Sequence, residues 1–306
     1  DSILDEYIFT IGLAKSPKEE LVSVKEENRT MYLGGILATA KHISNFVNKP
    51  TLLTVLGNDS KQNQFIKNDI KKTCKLAIFK DISRKNTTKS RFIDESKKKL
   101  FQSNKVYFEN INNKLEKKII NYLNKNLHKF DLVIVNDFGH GLLTEKIRRI
   151  IELKSKNLTL NVQTNSANFG YSFYYKYKKC DYLTLDEPEA RLSTGERFLT
   201  IENVVKKILK NVKSKIVAVT HGSHETRIFK EKKNFFVPAL SKNVVDTLGA
   251  GDAFFAISSI YSLIDKDPRN IAFVGNLSGA LQIQYLGHEK TIDRDNFFSY
   301  LKSFLS

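Results

Sequence analysis

Two features of the sequence predict an α/β fold whose central sheet is mainly parallel and is covered by helices on both faces. Short apolar segments alternate with amphipathic helical segments through most of the 306 residues. Two of the apolar segments, 131–136 and 216–220, are nearly continuous, as is typical of strands buried on both faces. Alternation of strands and helices indicates a parallel sheet between two helical layers.

The predicted elements follow in chain order. The strands are expected at residues 51–56, 75–79, 131–136, 158–162, 182–185 and 215–220. The helices are expected at residues 36–47, 63–73, 115–127, 144–153 and 201–209. Thr144 precedes a helix-period run and is suited to cap it.

Two further segments, about residues 18–33 and 87–108, alternate like strands but have no helices between them. Both are more polar than the buried strands. We therefore expect a small, partly exposed sheet outside the main layer, which would serve as a lid or a dimer contact. No internal repeat or long linker is visible, so we expect one domain, 1–306, with an appendage.

Composition excludes several classes of protein. No window of about 18 uninterrupted apolar residues is present, which argues against a membrane span. The two cysteines, Cys74 and Cys180, are far apart, which excludes a disulfide framework and fits a reducing, cytoplasmic compartment. The sequence opens on Asp1 without a signal-peptide pattern, so we interpret it as a piece of a longer protein.

The net charge of +17 raises the question of nucleic-acid binding. The basic residues are 40 Lys and 10 Arg, whereas nucleic-acid interfaces favour the bidentate fork of Arg. The lysines occur in dispersed short runs beside many Asn. We therefore favour solvated lysine-rich faces over a nucleic-acid role.

The segment Asp246-Thr-Leu-Gly-Ala-Gly-Asp252 carries the clearest chemical signal. Gly249, Ala250 and Gly251 let bare backbone N–H groups approach a ligand, and the apolar run after them predicts a buried helix. The N-terminus of a helix is a ready anion site. Asp252 at that terminus could accept a proton from a hydroxyl. This combination is what phosphoryl transfer to an alcohol requires.

Two other sites are indicated by local patterns. Asp137 follows a strand of the buried type, and a carboxylate at the carboxyl end of a parallel strand points into the ligand crevice. The paired Gly34 and Gly35 precede a helix and allow close approach to a polyol, although a plain turn explains them equally well.

The Asp-Thr-x-Gly-Ala-Gly-Asp string is the C-terminal signature of the ribokinase/PfkB family of sugar kinases, and the resemblance covers nearly the whole chain. The branch that phosphorylates heptose 7-phosphate is the most similar. Its pattern is matched by Ser16-Pro17, Val22-Ser-Val24, Leu33-Gly34-Gly35, Thr87-Thr-Lys-Ser-Arg91, Asn136-Asp-Phe-Gly-His-Gly-Leu-Leu-Thr144 and Asp186-Glu-Pro-Glu189.

The resemblance implies a ribokinase-like three-layer fold with a β-sheet lid, a sugar or sugar-phosphate substrate, ATP, Mg²⁺ and a monovalent cation. It also implies a homodimer formed through the lid, and a fused or partner nucleotidylyltransferase. It assigns the catalytic loop to Gly249, Ala250, Gly251 and Asp252. It assigns the sugar to Asp1, Asp5, Gly34, Gly35 and Asp137, with Asp1–Asp5 at the end of the first strand. It assigns ATP to Thr220, Gly222, Asp246, Asn276 and Gly279, and the metal to Asp186 and Glu189.

Two departures from the family pattern keep a second hypothesis open. Ala38 replaces an Asn that usually hydrogen-bonds the sugar, and residues 161–165 replace an Asp-Pro-Lys stretch, so that its Lys charge is lost. A weakly active or non-catalytic sugar- or nucleotide-binding domain of a larger nucleotide-sugar enzyme is therefore the alternative to an active kinase. The absence of a Gly-x-x-x-x-Gly-Lys-Ser/Thr string disfavours a P-loop kinase.

Overall fold

The computed structural model describes residues 1–14, 18–19, 21–231, 233–240 and 243–305. Ser16 and Pro17, two residues of the family pattern, lie outside the described residues. The strands are β1 (Ser2–Gly12), β2 (Val24–Gly35), β3 (Thr51–Leu56), β4 (Lys75–Lys80), β5 (Thr88–Ile93), β6 (Lys99–Lys105), β7 (Val133–Asp137), β8 (Leu158–Val162), β9 (Lys179–Asp186), β10 (Lys213–His221), β11 (Glu225–Lys230) and β12 (Lys233–Pro238). The helices are α1 (Ile36–Ser44), α2 (Ser60–Ile70), α3 (Asn113–Asn126), α4 (Glu145–Lys154), α5 (Glu187–Thr194), α6 (Ile201–Asn211), α7 (Ala250–Ile264), α8 (Pro268–Gln282) and α9 (Arg294–Leu305).

The main sheet has the strand order β12-β11-β10-β9-β8-β7. The strands from β7 to β10 are parallel, and β11 and β12 add an antiparallel edge. The prediction of a mainly parallel sheet is therefore confirmed. The pair β3–β4 forms a separate parallel sheet. An apolar cavity of about 610 Å³, lined in part by Leu52 and Val135, lies between it and β7.

Successive residues of the central strands point to opposite faces of the sheet and pack in two different apolar clusters. Each cluster contains residues of helices, so helices cover both faces of the sheet. Leu183 and Val217 pack in the cluster that includes residues of α3, α4 and α6. Their neighbours Tyr182 and Ala218 pack in the cluster that includes residues of α7 and α8. Thr144 caps α4 by accepting a hydrogen bond from the backbone N–H of Ile147, as predicted. No helix in the described ranges is both long enough and apolar enough to cross a membrane.

The lid is a four-stranded sheet with the order β2-β1-β5-β6. Strands β2, β5 and β6 arise from the two segments that predicted it. The placement of Asp1–Asp5 at the end of a strand was wrong, because Ser2 begins β1 and the strand continues to Gly12. Strand β1 lies in the middle of the lid, antiparallel to β2 and parallel to β5. The side chains from Ile3 to Ile8 are buried, so β1 joins the lid to the body of the molecule.

Candidate active site

A cleft of about 250 Å³ opens at the carboxyl ends of β8, β9 and β10. This is the edge of a parallel sheet at which ligands usually bind. Lid strands β1 and β5 close one side of the cleft, and the N-terminus of α7 closes another. Its charged lining includes Asp5, Lys89, Arg91, Asp186, Glu189, Asp252 and His288.

The N-terminus of α7 points its backbone N–H groups at this cleft. Gly249 occupies the N-cap position with φ 84°, a left-handed conformation that glycine adopts without strain. The amides of Gly251 and Asp252 have no hydrogen-bond partner within the described part of the chain. Free amides at a helix N-terminus favour an anion.

Asp252 is buried in the first turn of α7. Its Oδ1 accepts hydrogen bonds from Nε2 of Gln163 at 3.1 Å and from Nδ2 of Asn136 at 3.4 Å. Burial raises the pKa of Asp252, the nearby Asp5 raises it further, and His288 opposes the rise. A carboxylate of raised pKa, held on one oxygen and facing a cleft, is suited to accept a proton.

Asp5 and Gly35 line the cleft, and Gly34 packs beside the carboxylate of Asp5. Arg91 donates from Nη1 to Oδ1 of Asp5 at 2.5 Å, and both side chains are almost fully buried. A Cβ on Gly34 would lie 1.9 Å from Oδ2 of Asp5, so only glycine fits beside this carboxylate. Gly35 has φ 58° and lines the cleft.

Lys89 places a positive charge in the cleft, and no anionic side chain of the described residues contacts it. Burial lowers the pKa of its ammonium group, and the attraction of Asp5 only partly compensates. In the described residues it makes no hydrogen bond or ion pair; its ammonium lies 5.7 Å from the ring centroid of Phe138. A half-buried ammonium group without a partner among the described residues favours an anionic ligand.

Asp186 and Glu189 face the cleft from the start of α5. They form a capping box, in which Asp186 accepts from the N–H of Glu189 at 2.6 Å and Glu189 accepts from the N–H of Asp186 at 3.0 Å. Burial raises the pKa of both carboxyl groups, and for Glu189 the charge of Asp186 adds to the rise. A divalent cation would relieve this repulsion. The described residues contain no cluster of three or more potential metal ligands, so such a cation would need further oxygen ligands.

The structure does not bring Asp1 and Asp137 to the cleft. The carboxylate of Asp1 accepts from the backbone N–H groups of Phe138 and His140. Asp137 accepts from the hydroxyl of Tyr177 at 2.8 Å and pairs with the ammonium group of Lys176 at 2.9 Å. Both carboxylates stabilise the turn after β7.

Asp246, expected at the ATP site, links the lid to the catalytic loop. Its Oδ1 pairs with Lys99 of β6 at 2.6 Å and accepts from the N–H of Leu248 at 3.1 Å. Its Oδ2 accepts from the hydroxyl of Tyr7 at 3.2 Å and from the N–H of Gly287 at 3.1 Å. The side chain is therefore fully engaged by the protein.

Of the remaining residues expected at ATP, only Thr220, near the end of β10, is among the described residues that line the cleft. Gly222 follows in the turn to β11 with φ 49°. The amide of Asn276 accepts from the hydroxyl of Thr226 and donates to two carbonyls of β12, so it fastens α8 to the sheet. Gly279 packs beside the carbonyl of Ala250.

Several cleft residues were not singled out by sequence reasoning. Lys89 and Arg91 lie in the string Thr87–Arg91 that carried the family resemblance, and Gln163 lies in a segment noted only for its departure from the family. His288 follows a glycine in a loop and belongs to no motif that could have identified it.

Comparison with known proteins defines the class of the protein. The model of the pfkB family of carbohydrate kinases matches residues 4–294. The chain therefore belongs to the pfkB family of carbohydrate kinases, and its α/β fold is that of ribokinase.

More particular relatives are bifunctional proteins. The chain is 26% identical over 324 residues to the bifunctional protein HldE of Aliarcobacter butzleri, covering 99% of this chain and 66% of that protein. It is 26% identical over 292 residues to HldE of Campylobacter curvus, covering 94% of this chain and 61% of that protein. The chain thus spans less than two thirds of the length of these relatives.

Solved structures agree on the fold. Phosphofructokinase-2 from Escherichia coli in complex with potassium superposes with a TM-score of 0.76 at 14% identity, covering 98% of this chain and 96% of that chain. Ribokinase from Thermotoga maritima superposes with a TM-score of 0.72 at 20% identity, covering 98% of this chain and 97% of that chain.

Proposed function

We propose that this domain transfers the γ-phosphate of ATP to a hydroxyl group of a sugar phosphate of the heptose 7-phosphate type, and that the product is a sugar 1-phosphate for nucleotide-sugar synthesis. The observation that carries the proposal is the arrangement of Asp252 at the N-terminus of α7 and the unpartnered ammonium of Lys89 in one cleft.

The chemistry follows from Asp252 and the helix N-terminus. The acceptor hydroxyl donates its proton to the free carboxylate oxygen of Asp252 as its oxygen bonds to the γ-phosphorus. The bond from that phosphorus to the bridging oxygen of ADP breaks in the same displacement. The amides of Gly251 and Asp252 stabilise the charge on the transferred group.

The acidic pair Asp186 and Glu189 fits Mg²⁺ that is coordinated mainly by phosphate oxygens and water. The capping box occupies one oxygen of Asp186 and one of Glu189, and the N–H of Thr164 donates to the other oxygen of Glu189, so few oxygens are left for direct coordination. When bound, Mg²⁺ neutralises phosphate charge during transfer. A monovalent cation, also implied by the resemblance, is tested by replacing potassium in the assay.

Lys89 is the reason for preferring a phosphorylated acceptor to a free sugar. Its ammonium comes from the lid strand β5, whereas the amides that suit the transferred phosphate come from α7 on another wall of the cleft. Two separate anion-binding features match an acceptor and a donor that both carry phosphate.

Three further proposals concern the setting of the reaction. The longer bifunctional relatives support a fused or partner nucleotidylyltransferase. Strand β6 ends the lid sheet and exposes Leu100 and Phe101, which supports a homodimer formed through the lid. The need for ATP and the free, buried cysteines support a cytoplasmic location.

The test is an ATP- and Mg²⁺-dependent transfer assay over free sugars and their 6- and 7-phosphates, with Lys89→Met and the exposed-strand control Lys105→Met. We expect transfer to a sugar phosphate and, in Lys89→Met, a KM for that acceptor at least about tenfold higher, because a charge-assisted contact is lost. The KM for ATP should stay within about threefold. A rise confined to the KM for ATP would overturn the acceptor assignment. Nucleotide binding without any transfer would favour the non-catalytic alternative.

A further inference from the structure

The imidazole of His288 lies between the two carboxylates that face each other across the cleft. Its Nε2 is 3.6 Å from Oδ2 of Asp5 and 3.7 Å from Oδ2 of Asp252. The side chain is 5% exposed, so water screens these charges little. Protonated, the ring attracts both carboxylates and offsets their mutual repulsion.

The loop that carries His288 is fixed in place. The N–H of Gly287 donates to Asp246 at 3.1 Å, and its carbonyl accepts from the side chain of Gln282 at 2.6 Å. The imidazole packs so closely on Gly249 that a Cβ there would lie 2.7 Å from Cε1 of the ring. The ring is thus held directly against the catalytic loop.

The second ring nitrogen has no partner. Nδ1 of His288 is buried and makes no hydrogen bond with any described residue. An imidazolium carries an N–H on both ring nitrogens. The N–H on Nε2 can point toward the two carboxylates, and the N–H on Nδ1 is available to an oxygen atom of a bound ligand.

The electrostatic surroundings of His288 are mixed. Among the described residues, the titratable and charged groups that face it or its carboxylate partners include Asp5 on β1, Asp252 on α7, Lys89 and Arg91 on β5, and His42 on α1. Glu189 on α5 and the amino group of Asp1 also act on Asp252. Arg91 already occupies the other oxygen of Asp5. Burial lowers the pKa of His42 to about 3, so that ring stays neutral. Nε2 of His288, at 3.7 Å, is therefore the nitrogen placed to bring positive charge beside Oδ2 of Asp252 when the ring is protonated.

We propose that His288 is a positioning residue of the phosphoryl-transfer centre, whose imidazolium keeps Asp252 in the carboxylate form that accepts the proton of the acceptor hydroxyl. The inference rests on the role proposed above for Asp252. The imidazolium also supplies a positive charge beside Asp252, which Gln163 contacts from the segment 161–165 that lacks the lysine of the family pattern.

The test compares kcat/KM for the acceptor from pH 5 to 9 in the wild type, His288→Gln, His288→Ala and the remote surface control His128→Gln. Without the imidazolium the pKa of Asp252 should rise. The acid limb of the kcat/KM profile should therefore shift to higher pH by about one pH unit. The expected loss in His288→Gln is about tenfold at pH 5.5 and less than about threefold at pH 8.5. His128→Gln should follow the wild type, and added imidazole should restore part of the loss in His288→Ala.

An equal loss at every pH, with the acid limb unmoved, would show that His288 only packs against Gly249 and would overturn the inference. The variant Asp252→Asn separates this failure from that of the proposed function. If Asp252→Asn keeps its activity, the role of Asp252 is wrong whatever the His288 profile shows.

Discussion

Gly249 combines a left-handed backbone with a side-chain position that is already filled by His288. Its φ is 84°, and a Cβ would stand 2.7 Å from the imidazole. Gly251, two residues further on, has open space around the Cβ position and no positive φ. The two glycines of the motif therefore have different roles. Gly249 is required by the backbone conformation, and Gly251 leaves the backbone amide accessible.

This difference predicts unequal effects of alanine at the two positions on the free energy of unfolding. Gly249→Ala should lower the free energy of unfolding by about 1–3 kcal/mol, because it forces both strain and a steric clash. Gly251→Ala should leave it within about 0.5 kcal/mol, because alanine suits a helix. Urea unfolding measures both, and equal losses would contradict the interpretation of the motif.

The motif predicted Asp252 and Gly249 because seven successive residues carry the signal. His288 could not be found in this way, since it reaches the site only through the folding of the loop after α8.

The two departures from the family pattern, at Ala38 and at residues 161–165, lie in different surroundings in the structure. Ala38 is buried in α1, whereas Gln163 donates to Asp252 and so belongs to the site.

At the scale of elements, the lid is joined to the catalytic loop through Asp246. Strand β6 contributes Lys99 and strand β1 contributes Tyr7 to this carboxylate. Strand β5, which carries Lys89 and Arg91, lies between them in the sheet. The contacts of Asp246 thus hold the two strands that flank Lys89 and Arg91.

We expect Lys99→Met to raise the KM for the acceptor about fivefold, the equivalent of losing about 1 kcal/mol from one half-exposed ion pair. The value of kcat should change less, because Asp252 and α7 are untouched. Lys105→Met, at the opposite end of the same strand, is the matched control. A change in kcat alone would show that the pair does not order the lid.

The sequence patterns predicted the strands that are buried on both faces. They missed the strands in which buried and exposed or charged residues are mixed. Strands β7 to β10 are buried on both faces and read as apolar runs, so they were predicted within a few residues. Strand β1 passes from the body into the lid, and Asp5 and Glu6 interrupt its apolar pattern. Strands β11 and β12 form an antiparallel edge with charged residues, and they were not predicted.

At the scale of the whole molecule, two buried histidines link folding to pH. Burial lowers the pKa of His42 and of His140 to about 3. Below the ordinary histidine pKa of about 6.5, the unfolded chain binds protons that the folded chain does not. Each histidine therefore contributes stability that is complete above pH 6.5 and is lost progressively as the pH falls toward 3. The raised pKa values of Asp252 and Glu189 act in the opposite direction.

His42→Gln isolates one of these contributions. Between pH 7 and pH 5 the wild type should lose about 2 kcal/mol more stability than His42→Gln does. The exposed His128 provides the control, because His128→Gln should leave the slope unchanged. Parallel slopes for the wild type and His42→Gln would mean that His42 is protonated in the folded state.

In the function proposed above, this chain is an active kinase in which Asp252 accepts the proton of the acceptor hydroxyl. The most direct measurement is ADP formation with a sugar phosphate and MgATP, for the wild type and Asp252→Asn, with nucleotide binding measured on both. We expect Asp252→Asn to lose at least about a hundredfold in turnover, while its affinity for ATP stays within about threefold. Turnover in Asp252→Asn within a few-fold of the wild type would contradict the proposal.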